Sequence, residues 1–93
     1  MIIGLLELEL RIPEAHSLKD KRMILRSLCD RIRNKFNVSV AEVAGGDAHQ
    51  HGTMGVAHVS NEQKFSNQVL SQIVNLVESE RDIELVDYVL SFL

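Results

Sequence analysis

The chain has 93 residues, enough for one hydrophobic core and too few for two. A composition of 45% apolar and 25% charged residues is that of an ordinary globular domain and excludes a disordered one. The net charge of −3 gives no global pull toward nucleic acid or an anionic membrane, and no run of about 18 apolar residues can span a bilayer.

Residues 2–12 predict a strand, because Leu6, Leu8, Leu10 and Ile12 alternate with Glu7, Glu9 and Arg11. The leucine row belongs to the core, which leaves Glu7, Glu9 and Arg11 outside together with Ile3 and Leu5. Pro13 ends the strand. Ser17 followed by Asp20 resembles a capping box and opens a helix over 18–35. Its apolar face carries Leu18, Leu25, Cys29, Ile32 and Phe36, widened by Ile24 and Leu28.

The β-branched run 38–44 predicts a second strand, the Gly- and His-rich stretch 45–52 a long hairpin loop, and 53–59 a third strand. Ser60 with Gln63 reads as another capping box, opening a helix over 61–79 that buries Phe65, Val69, Ile73, Leu76 and Val77. A polar turn leads to a fourth strand over 83–92. The order β-α-β-β-α-β predicts one α+β domain over 1–93. Two interleaved β-α-β halves make a ferredoxin-like, four-stranded antiparallel sheet with both helices on one face.

The net charge hides a division. Residues 1–36 carry 8 basic and 5 acidic side chains, whereas residues 37–93 carry 2 basic and 8 acidic ones. On the first helix Lys19, Arg22, Arg26 and Arg33 fall within about 60° of one another at ~100° per residue, a stripe interrupted by Asp30. Lys21, Arg31 and Lys35 are expected on the other flank. Such a stripe can meet the phosphates of a structured RNA in a salt-sensitive way, with no DNA sequence recognition expected. It is also what a solvated helix face looks like, since Lys and Arg are good helix formers whose stems cover core edges. The uncovered sheet face cannot work as an RNA-recognition motif, since the first and third strands hold no aromatic residue and the first presents Glu7 and Glu9.

Catalytic signals are sparse, so a non-enzymatic protein without a cofactor is expected. The single cysteine, Cys29, excludes an internal disulfide and a multi-cysteine zinc site, and it lies at the centre of an apolar helix face. Asp47, His49 and His51 are weak candidates for a metal site or for a small-molecule enzyme using the 45–52 loop, with no fourth ligand evident. His16 reads as a turn residue. On the fourth strand Val86, Tyr88, Leu90 and Phe92 form an apolar set that points to a homodimer, through the open sheet face or the strand edge. With no leader-like start, the expected location is cytoplasmic.

Two stretches are distinctive: His16-Ser17-Leu18-Lys19-Asp20-Lys21-Arg22, and Arg31-Ile32-Arg33-Asn34-Lys35-Phe36-Asn37-Val38-Ser39-Val40-Ala41-Glu42-Val43. With Val59-Ser60-Asn61 they resemble the YlxP-like family of bacterial proteins of unknown function. The resemblance implies a ferredoxin-like fold and a bacterial cytosolic protein. It also implies a gene neighbourhood of translation-initiation and ribosome-binding factors, and hence a ribosome or RNA role. One region departs from the family's pattern: a Trp-Gln-Arg-like segment before the third strand is replaced here by His49-Gln50-His51.

Overall fold

A computed structural model describes residues 1–93. The elements run β1 (Ile2–Arg11), α1 (Leu18–Lys35), β2 (Ser39–Ala44), β3 (His51–Ser60), α2 (Gln63–Glu78) and β4 (Glu84–Phe92). All pairings are antiparallel and the sheet order is β2-β3-β1-β4, so the ferredoxin-like arrangement is the observed one. The core lies between the helices and one sheet face, centred on Leu6, Leu8, Leu10 and Ile12 of β1 and its continuation. No helix is long and apolar enough to cross a membrane.

Helix α1 starts and stops where the cap residues place it. Ser17 Oγ accepts from the Asp20 N–H at 3.1 Å, and the Asp20 carboxylate accepts from the His16 N–H at 3.0 Å. The box is therefore closed one residue earlier than the usual pattern. Arg33 and Lys35 occupy the last turn, where cations suit the helix dipole.

Lys21 departs from its expected place. It is buried, with 1% of its surface exposed, on the same helix face as Leu25 and Leu28, and reaches the hairpin that joins β2 to β3. Its Nζ donates to Gly46 O at 3.0 Å and His51 O at 3.1 Å, and pairs with Glu42 Oε2 at 3.1 Å. Three acceptors match the three ammonium protons, which is how a charge can be held inside. Gly45 and Gly46 supply the positive φ values, 107° and 31°, that fold the loop back toward it. A Cβ at Gly45 would stand 2.8 Å from Gly52 Cα, so this turn needs glycine.

Helix α2 is turned by about one residue from the expected face. Its buried side chains are Ser66, Leu70, Ile73, Val74 and Val77, while Phe65 is 51% exposed. Gly4 on β1 allows this: a Cβ there would lie 2.8 Å from Leu70 Cδ1 and 3.3 Å from Ser66 Cβ, so the helix settles on the missing side chain. The second capping box does not form. Glu62 is the N-cap and its side chain makes no capping hydrogen bond. Ser60 Oγ is instead engaged with Glu62 O at 2.9 Å and Ser66 Oγ at 2.6 Å.

Strand β4 carries a bulge opposite Glu9 and Leu10, and Val86 is the extra residue. The bulge breaks the simple alternation. Leu85, Tyr88, Leu90 and Phe92 pair with Leu10, Leu8, Leu6 and Gly4 and share their helix-side face, while Val89 stands beside Glu7 on the open face. The expected interface set of Val86, Tyr88, Leu90 and Phe92 is thus not one open-face patch. Leu90 and Phe92 are half-buried, and Val86 and Tyr88 remain exposed.

Replacing Lys21 by Met strands two loop carbonyls and the Glu42 carboxylate. We expect Lys21→Met to lower unfolding free energy by about 3 kcal/mol, and Lys19→Met on the exposed face to change it by less than about 0.5 kcal/mol. Urea denaturation of the two variants measures both.

Candidate functional site

The cationic stripe divides in the structure. Lys19, Arg22 and Arg26 are exposed and take part in no ion pair. Arg33 is committed to the fold: its Nη2 donates to Val40 O at 2.9 Å on the edge strand β2, and its Nη1 lies 3.5 Å from Asp30 Oδ1. The other expected flank divides too. Arg31 pairs with Glu80 at 2.7 Å and donates to Ser27 Oγ, so it faces the turn between α2 and β4, and Lys21 is inside. Lys35 is exposed and unpaired on the other flank, beside Gln72 and Asn75 of α2. Lys19, Arg22 and Arg26 are therefore the free cations of the stripe, on the flank from which Arg33 reaches β2.

A polar cleft of about 570 Å³ opens at the N-terminal end of α1, lined by Ala15, His16, Asp47, His49, Gln50 and His51. The loop that builds it is braced. Gln50 Nε2 donates to Pro13 O at 3.0 Å and Ala15 O at 3.2 Å, and Ile12 N–H donates to Gln50 O at 2.8 Å. Lys21 holds the opposite side of the loop through Gly46 O and His51 O. His16 thus joins the histidines of the hairpin, which the sequence spacing did not indicate. The donor atoms of Asp47, His49 and His51 do not gather into a set that could hold a metal ion.

The internal polar groups serve the fold. His58 Nδ1 is 2.8 Å from Ser66 Oγ, which is 2.6 Å from Ser60 Oγ, which in turn is engaged with Glu62 O. One proton per hydroxyl gives the chain a direction: His58 N–H donates to Ser66, Ser66 to Ser60, and Ser60 to the Glu62 carbonyl. Ser66 is fully buried and no substrate reaches it, so the His–Ser pair tethers α2 to β3. Phe65 closes the outer side of the His58 ring, edge-on at 5.4 Å.

Cys29 is buried, and desolvation by that burial pushes its thiol above the usual range despite the opposing pull of Arg33. A raised value favours the neutral thiol, the opposite of what a nucleophile needs. The sign of the linkage follows. The contribution is intact below the unfolded thiol's pKa and is lost as pH rises past it toward the folded value. We expect the stability of the wild type to fall more steeply above that pH than that of Cys29→Ala, by up to about 1.4 kcal/mol per pH unit. Denaturation curves at stepped alkaline pH measure the difference.

The open face of the sheet is a separate surface. Ser39, Ala57, Leu5 and Ser91 make one cross-strand row, and Ala41, Gly55, Glu7 and Val89 make the next. Small residues in mid-sheet, with Val43, Leu5 and Val89 around them, leave an apolar trough of about 430 Å³. Val43 is the extra residue of a bulge in β2 and leans over Gly55, its Cγ1 standing 3.0 Å from where a Cβ would be. Glu7 and Glu9 are exposed on this face, so the expected conflict with an RNA-recognition motif is present in three dimensions.

Two comparisons with known proteins bear on this geometry. The family described as "Protein of unknown function (DUF503)" matches residues 3–90, nearly the whole domain. The chain is also similar to the "Uncharacterized protein YlxP" of Bacillus subtilis (strain 168), with 36% identity over 83 residues that cover 89% of this chain and 90% of that one. The family match runs through α1, the histidine hairpin and the open-face strands together, and the chain is a member of the DUF503 family, whose function is unknown.

Proposed function

We propose that this protein is a non-enzymatic RNA-binding module acting in ribosome assembly or translation, with α1 as its contact surface. The observation that carries this reading is that Lys19, Arg22 and Arg26 stand exposed on one helix face with no carboxylate paired to them. Cations spaced by turns of a helix can each meet a backbone phosphate, and contacts of this kind suit the shape of a folded RNA. The braced histidine cleft adjoins the same end of α1 and extends the surface with groups that donate, accept and stack. Arg33 contributes to the position of β2 more than to any contact, because its guanidinium is bonded to Val40 O.

Three phosphate contacts make a quantitative expectation. Affinity for a bulged RNA hairpin, or for purified ribosomal subunits, should fall roughly 15- to 40-fold between 50 and 200 mM salt. Arg22→Glu/Arg26→Glu should weaken binding at low salt and flatten the log–log salt slope by about 2. Fluorescence anisotropy with the hairpin, and co-sedimentation with the subunits, measure these effects. Salt-independent binding, or a double variant that binds as tightly as the wild type, overturns the reading.

A further inference from the structure

The face opposite the helices carries an independent surface with its own chemistry. Along β1 it grades from apolar to acidic: Ile3 and Leu5, then Glu7 and Glu9. The neighbouring strands repeat the gradient. Val59 and Ala57 of β3 flank the apolar end, and Asp87 of β4 stands beside Glu9. Glu7, Glu9 and Asp87 have no cationic partner, and the Arg11 at the end of the row is paired with Glu84 at 3.7 Å. Between the two ends lies the trough floored by Gly55 and Ala57.

We propose that this face docks a short segment of a partner protein that is both basic and apolar. One or two large apolar side chains of that segment lie in the trough on Gly55 and Ala57, between Val43 and Val89. Its Lys or Arg side chains meet Glu7, Glu9 and Asp87. Room is sufficient, since a cavity of about 150 Å³ already holds a benzene ring and the trough measures about 430 Å³. Charge complementarity selects the occupant. Unneutralised carboxylates repel nucleic acid and favour a cationic chain. A second copy packed face to face would not satisfy them, because the one Lys or Arg on this face, Arg11, is already paired with Glu84.

The experiment is an NMR titration of the isotope-labelled protein with a synthetic peptide alternating Lys or Arg with Leu or Phe. Two control peptides replace either the apolar residues with Ser or the basic residues with Glu. The basic-apolar peptide should shift the signals of Leu5, Gly55, Ala57 and Val89, and each control should bind at least about tenfold more weakly. Ala57→Leu, which fills the trough, and Glu7→Lys/Glu9→Lys, at exposed positions, should each weaken binding to a similar degree. Arg22→Glu/Arg26→Glu should leave it unchanged, which separates this surface from the one on α1. Shifts scattered over the whole molecule, equal binding of the Glu-containing peptide, or self-association that covers the trough in the free protein would overturn the proposal.

Discussion

The buried ammonium of Lys21 is the point to which α1, β2 and the histidine hairpin are fastened. One side chain from α1 meets Glu42 on β2 and the carbonyls of Gly46 and His51 on either side of the hairpin. Burying a charge is costly unless every proton finds an acceptor, so the arrangement has little freedom. It fixes how far α1 stands from β2. It also turns a glycine-rich loop into a wall of the cleft that His16, His49 and His51 share. Gln50 braces the same loop from the other side, through the carbonyls of Pro13 and Ala15.

From that anchor the charges separate by surface. The lysine that the anchor consumes is withdrawn from the solvent, and Arg31 and Arg33 are tied to Glu80 and Val40. Lys19, Arg22 and Arg26 then remain free on one flank of α1 and Lys35 alone on the other, while the open sheet face keeps Glu7, Glu9 and Asp87 without a cationic partner. A molecule with net charge −3 thus presents a cationic surface and an acidic, apolar one on different sides. The two proposals rest on this segregation, one drawing an anionic polymer to α1 and the other a cationic chain to the sheet.

Much of the fold was legible because it is written in local periodicity. The alternation of Leu6, Leu8 and Leu10 with Glu7 and Glu9 states which way β1 faces, and Ser17 with Asp20 states where α1 begins. What was illegible depends on contacts between elements. Lys21 sits one turn before Leu25 and two before Leu28 on the apolar face, a usable signal, yet a lysine there ordinarily extends its ammonium to water. The turned face of α2 follows from Gly4 lying beneath Leu70, and from the polar chain that draws Ser66 inward. The parity of β4 changes at the Val86 bulge, which alternation alone does not reveal. The trough needed the register of all four strands before Gly55, Ala57, Val43 and Val89 could be seen together. The family membership covers nearly the whole chain and leaves its function to be established by experiment.

We have proposed that RNA meets this protein at α1 and the adjoining hairpin. Ultraviolet cross-linking of the wild-type protein to ribosomal particles, followed by mass spectrometry of the RNA-bearing peptides, tests it most directly. Cross-links are expected within residues 16–26 and 47–51, and none on the β1 and β3 residues of the open sheet face. Cross-links concentrated on that face, or none above the background of the Arg22→Glu/Arg26→Glu variant, would contradict it.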